Sequence, residues 1–252
     1  MNLKYTVYGD SAFDKKIDGD MKLISETVLA GVDKNDITAL ILGGGYGRGE
    51  GGVISHDGKM QLYNDYDFFV ITENVSMQRR NELNRELYEI SEGLTEKIGI
   101  DVDFGPAVNK SRIPKTTFTM MWYELKNGHY VIYGNKNLLK DIPDYDGKNM
   151  PISEAASLLL NRGVGLMLAR NKLAKNPQKN ELEFAERNIY KALMACGDSF
   201  LISEKKFIYS YQKRQALLND CKQEGIIAKY NFKKHYSDSI DYKLRPPYQP
   251  SS

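Results

Sequence analysis

The chain has 252 residues, 41% of them hydrophobic and 27% charged, and a formal net charge of +2. This composition excludes a collagen-like, low-complexity or wholly disordered chain, and no apolar run approaches the ~18 residues that read as a membrane span. The first residues lack the apolar core of a signal peptide, and two cysteines, Cys196 and Cys221, stand outside any metal-ligand spacing, so a cytoplasmic protein without a membrane partner, a disulfide scaffold or a zinc cluster is expected.

The net charge hides an asymmetry. Residues 1–110 carry 12 Lys and Arg against 19 Asp and Glu, a balance of −7, and the rest of the chain carries 23 against 14, a balance of +9. An acidic front and a basic rear suggest two regions with different roles.

In chain order, Asp20–Ala30 reads as a first helix, with Met21, Leu23, Ile24, Val28 and Leu29 at mixed helical spacing. Ile37–Leu42 is short, apolar and β-branched, a buried strand that runs straight into Gly43-Gly44-Gly45. Gly51–Asn64 contains the turn signal His56-Asp57-Gly58-Lys59 and reads as a hairpin or a mobile loop. Tyr66–Thr72 is a second strand. Residues 77–98 set Leu83, Leu87, Ile90, Leu94 and Ile98 on one face of a long helix. Ile98–Phe104 alternates as a third strand, ended by Gly105-Pro106.

Residues 116–134 read as further strands about an Asn127-Gly128 turn. From Pro151 the character becomes helical. Ser153 is placed to cap a helix that runs through Leu158–Leu160 to about Lys172, a second covers about Asn180–Ile202, and a third about Tyr211–Glu224. The Asp-, Pro- and Gly-rich stretch Lys140–Met150 is the expected domain boundary, giving domains 1–145 and 146–252. After Lys229 a Tyr-, Lys- and Pro-rich tail is expected to pack loosely. Its cations and aromatics could contact nucleic acid, although a net +5 over residues 204–252 does not favour that partner.

The chemistry concentrates in the front. In Asn64-Asp65-Tyr66-Asp67 the two carboxylates are at i and i+2, which on an extended strand project to one face. Two like charges held that close are costly unless a cation neutralises them, and a divalent ion with oxygen ligands, most naturally Mg²⁺, does so. Asp101 and Asp103 repeat the spacing on the third strand, and either can complete a three-carboxylate cluster. The turn Gly43–Glu50 permits close backbone approach to phosphate, and Arg48 offers a charged fork for phosphate oxygens. The turn fits neither the P-loop nor the dinucleotide pattern. Arg162, Lys191 and Asp198 are candidates for lining a cleft in the helical rear.

The order of a strand, a Gly-Gly-x-x-Arg-Gly-Glu turn at Gly44–Glu50, an Asp65-x-Asp67 strand and a later Asp-bearing strand resembles the nucleotidyltransferase superfamily. That superfamily includes DNA polymerase beta, kanamycin nucleotidyltransferase and the minimal nucleotidyltransferases. The likeness covers about residues 20–110, and Asn188–Asp198 is similar to the helical region behind such catalytic domains. It implies an α+β nucleotidyltransferase-like mixed sheet flanked by helices, followed by an α-helical acceptor-binding domain. It also implies Asp65, Asp67 and Asp103 as catalytic and Mg²⁺ ligands, with Asp101 the alternative third carboxylate. Gly44, Gly45 and Arg48 would contact the triphosphate, with two Mg²⁺, a nucleoside triphosphate (NTP) substrate and a hydroxyl acceptor that is a small molecule, a protein or RNA. About ten extra residues separate Gly45 from Asp65 relative to the superfamily, and a hairpin centred on Asp57-Gly58 would absorb them. A catalytically weak, antitoxin-like regulatory module is the alternative.

Overall fold

Aliphatic runs and helical stripes in this sequence place each element against a neighbour before any site is considered. The computed structural model describes residues 4–174, 176–222, 224–225 and 227–247. They form a mixed α+β chain that divides into two units, one of residues 4–117, 121–144 and 244–247 and the other of 118–120 and 145–243.

In the first unit, Phe13, Ile17, Met21, Ile24 and Val28 form a buried stripe on α1 (Ser11–Gly31), capped where Asp10 accepts the Phe13 N–H at 2.8 Å. This helix starts nine residues before its sequence-predicted start, because Lys15, Lys16, Asp18 and Asp20 interleave with the stripe and mask it. Ala39–Leu42 (β1) is buried along its whole length. It leads into the single turn α2 (Gly44–Gly47), then the hairpin β2 (Gly52–His56) and β3 (Lys59–Tyr63), then β4 (Tyr66–Thr72). The hairpin turns at Asp57 and Gly58, both at positive φ, as a two-residue reverse turn requires. Gly51–Asn64 is therefore an ordered ribbon and not a loop.

The long helix α3 (Met77–Ile98) buries Leu83, Leu87 and Leu94 and ends at Gly99, whose φ of 88° supplies the left-handed cap. Then follow β5 (Val102–Phe104), β6 (Val108–Asn109), α4 (Met120–Asn127) and β7 (Tyr130–Gly134). The sheet runs β5-β4-β1-β7, with β1 antiparallel to β4 and β7, and β4 parallel to β5 and β6. Tyr66, Phe68 and Val70 alternate into the core with the stripes of α1 and α3. Each such side chain contributes roughly 1.5–3 kcal/mol when fully buried. The Tyr66 hydroxyl donates to Asp20 Oδ2 at 2.9 Å, which fixes α1 against β4.

Two expectations fail in this unit. Residues 116–134 are not a hairpin: Met120–Asn127 is helical, and Gly128 donates its N–H to Glu124 O at 2.9 Å as the helix closes. The Asn-Gly pair thus marks a helix end, which accepts the same residue types as a reverse turn. The third strand is also shorter than Ile98–Phe104, because α3 extends through Ile98.

The second unit is helical: α5 (Ile152–Leu173), α6 (Lys179–Ser203), α7 (Tyr211–Asn219) and α8 (Phe232–Leu244), of which α5 and α6 pack together. The cap of α5 is Pro151 and not Ser153, consistent with proline's fixed φ at a helix start. The Leu158–Leu168 stretch is only partly core, since Leu160, Val164 and Met167 stay exposed on the side of α5 opposite Ala155 and Ala169. The third helix stops at Asn219. The expected loose tail instead contains α8, with Tyr236, Ile240 and Leu244 buried at four-residue spacing.

Asp198 lines no open cleft. It accepts from Arg214 Nη1 at 2.7 Å and from the Tyr236 hydroxyl at 2.6 Å, a buried hub joining α6, α7 and α8. Arg214 also stacks on Phe207 and Tyr211. Lys191 lies on an exposed face, and Arg162 is half-buried with its Nε lacking a hydrogen-bond partner among the described residues. No helix among the described residues is long and apolar enough to cross a membrane.

Candidate metal centre

Strand alternation delivers the three carboxylates. Asp65 immediately precedes β4, and Asp67 follows two residues later on the same side, opposite the core face of Tyr66 and Phe68. The parallel register pairs Asp67 with Asp103 across β4 and β5. The Tyr66 N–H donates to Asp101 O at 2.9 Å and holds that register where the strand begins. One oxygen from each of Asp65, Asp67 and Asp103 lies within 4.8 Å of the other two. Asp65 and Asp67 are half-buried and Asp103 is exposed. Asp101, which immediately precedes β5, is not in the cluster.

The electrostatics match the geometry. Loss of solvent, then the charges of Asp65 and Asp101, push the Asp103 carboxyl above the ordinary aspartate range. Neither Asp65 nor Asp103 forms an ion pair with a protein cation among the described residues. Three hard oxygen donors converging at one place form a donor set that fits Mg²⁺ or a similar divalent ion.

The glycine turn is shaped by the same carboxylates. Gly44 has φ of 59°, and a Cβ at that position would overlap the Asp67 carboxylate. A side chain there is excluded both by backbone conformation and by space. The Gly43 N–H donates to Asp67 O at 2.8 Å, so the turn is attached to the strand that carries the ligands. Gly45 follows in the first turn of α2. The structure therefore brings Gly44 against the carboxylates.

Arg48 has another role. Its guanidinium is buried, 2.8 Å from Glu124 and 3.9 Å from Glu50. The two carboxylates engage the guanidinium inside the protein, beside the glycine turn. Sequence reading had no access to Glu124, which comes from α4, a helix read as strand.

The inserted hairpin leaves the turn and the Asp65-x-Asp67 strand attached to each other. The Tyr46 hydroxyl, buried at its base, donates to a carbonyl, with Gly52 O at 2.9 Å and Tyr63 O at 3.0 Å in reach. It also accepts the Tyr63 N–H at 3.1 Å. One side chain from the glycine turn thus clasps both strands of the ribbon.

No family model matches the chain, and no curated protein matches it.

Proposed function

We propose that this chain is a nucleotidyltransferase of the DNA polymerase beta type, moving a nucleoside monophosphate from an NTP to a hydroxyl acceptor. The observation that carries the reading is the convergence of Asp65, Asp67 and Asp103 beside Gly44. A lone acidic pair has many uses. Three carboxylates from two adjacent parallel strands, next to a turn that must be glycine, fit a divalent-ion and phosphate site.

Asp65, Asp67 and Asp103 would hold the ions, and Gly44 and Gly45 would present backbone to the β- and γ-phosphates. When bound, the ions supply charge neutralisation for the attacking and leaving oxygens. In the transfer, the acceptor oxygen bonds to the α-phosphorus as the bond from that phosphorus to the bridging oxygen breaks. Pyrophosphate leaves with that electron pair. The hydroxyl proton passes to Asp103, the most exposed of the three, whose proton affinity burial raises. Positioning and charge neutralisation account for most of the barrier reduction in such a site.

Thermal melts with Mg²⁺ and each NTP test the reading, alongside incubation with α-labelled NTPs and hydroxylated acceptors. The parent melts higher with Mg²⁺ and at least one NTP, and the Asp65→Asn/Asp67→Asn variant does not. Equal melting of parent and variant under every condition removes the reading.

A further inference from the structure

A cavity of about 330 Å³ opens in the first unit beside β6, at the small end of ligand-binding pockets. Its walls bring together Arg80 from α3, Arg112 and Lys115 from the turn that follows β6, Thr116 and Thr117, and Trp122 from α4. None of the three cations forms an ion pair among the described residues. Three positive charges facing one hollow without a carboxylate partner repel each other unless an anion joins them.

The walls are built and not incidental. Ile113, between Arg112 and Lys115, is buried and anchors their turn, and Asn109 accepts the Ser111 N–H at 2.9 Å at its start. Asn84 of α3 accepts the Ala107 N–H at 2.8 Å, so the helix carrying Arg80 is fastened to the segment that leads to Arg112. Trp122 is fixed against Phe69, with ring centroids 6.4 Å apart.

Phe69 also gives the pocket's location. It lies two residues beyond Asp67 on β4, hence on the same face of the sheet and about 7 Å along the strand. The segment forming the other wall starts at Pro106, three residues after Asp103 on the chain path. The hollow therefore lies along the carboxylate face, on the side of the third carboxylate.

We propose that this pocket holds the acceptor of the transfer, and that the acceptor is a small molecule carrying a phosphomonoester. Its phosphate sits on Arg80, Arg112 and Lys115, its ring lies against Trp122, and its free hydroxyl reaches toward Asp103. Guanidinium groups match phosphate oxygens in pairs, which suits two arginines and a lysine better to a phosphate dianion than to a single carboxylate. The proposal rests on the transferase reading for the hydroxyl's fate, while the pocket's anion binding stands independently of it.

Trp122 is the chain's single tryptophan, so its emission reports on this pocket alone. The test titrates the whole protein in EDTA with ribose 5-phosphate, AMP, inorganic phosphate and unphosphorylated ribose. Ribose 5-phosphate, AMP or both produce a saturable change in emission, and ribose produces none. The sugar phosphate and AMP arms distinguish a sugar-phosphate from a nucleotide acceptor. The exposed double variant Arg112→Gln/Lys115→Gln weakens that binding roughly tenfold or more, whereas Asp65→Asn/Asp67→Asn leaves it in place. Equal responses to ribose and ribose 5-phosphate overturn the proposal. So does the absence of any saturable response to a phosphorylated probe, or parental affinity in the double variant. Because metal is absent throughout, loss of this result with the Mg²⁺–NTP melts intact rejects the pocket and spares the transferase reading.

Discussion

Asp67 and Asp103 are register partners on adjacent parallel strands, so their carboxylates meet because the backbone ladder aligns them. Loss of solvent, then the charges of Asp65 and Asp101, raise the proton affinity of Asp103 in the fold. A carboxyl whose pKa is higher folded than unfolded destabilises the fold once ionised. The penalty is absent below the ordinary aspartate pKa, grows as pH rises through the raised value and is constant above it. Asp103→Asn is therefore expected to melt about 1–2 °C above the parent in EDTA at pH 7, an effect limited by solvent screening. At pH 3 the difference vanishes, and in Mg²⁺ the order reverses. Thermal melts at the two pH values, with and without metal, check all three outcomes.

Gly44 and Gly58 make a controlled pair. Both sit at positive φ, but a Cβ on Gly58 meets nothing within 4 Å, whereas on Gly44 it meets the Asp67 carboxylate. Gly58→Ala is expected to lose about 1 kcal/mol for conformation alone. Gly44→Ala loses more, and also the Mg²⁺-dependent rise in melting temperature, because Asp67 has to move. Urea unfolding and metal titration of the two variants separate the terms.

Arg48 distinguishes structure from ligand binding. Arg48→Met leaves Glu50 and Glu124 without their shared cation and is expected to cost roughly 3 kcal/mol. Below its melting temperature the variant binds NTP as the parent does. A tenfold loss of NTP affinity in the folded variant would restore Arg48 to the phosphate site.

The Tyr46 hydroxyl holds the base of the hairpin. Tyr46→Phe removes the acceptor for the Tyr63 N–H and a donor to buried carbonyls, a loss of about 1–3 kcal/mol. Amide exchange at Tyr63 quickens first, ahead of the sheet amides of β1 and β4.

In the helical unit, Arg214→Met removes the buried cation that donates to Asp198 at 2.7 Å. A cost of about 3–5 kcal/mol is expected. Changing both Asp198 and Arg214 to apolar residues of similar volume recovers part of it, read from denaturant midpoints.

What the sequence disclosed follows from how local each signal was. The strand Tyr66–Thr72 and the helix 77–98 were readable to the residue because alternation and a one-face stripe need no partner to be recognised. The carboxylate cluster was readable because i and i+2 share a face wherever a strand forms. Met120–Asn127 was not, since its Asn-Gly end satisfies two different turns and its aromatic residues suit strands equally well. The helix from Phe232 was hidden by lysines and tyrosines between Tyr236, Ile240 and Leu244. The pocket was beyond sequence reading altogether: Arg80, Arg112 and Trp122 lie on three separate elements and only folding brings them together.

Leu244 is buried and the Arg245 guanidinium lies over the Tyr8 ring at 5.8 Å, so the unit that begins the chain also takes in residues 244–247. A nascent chain emerging from the ribosome reaches those residues only after every helix of the other unit has been made. The carboxylate-bearing unit must wait with part of its surface open while the helical segment is translated. A fragment cut at residue 144 would keep all three aspartates and still lack the last piece of its own packing.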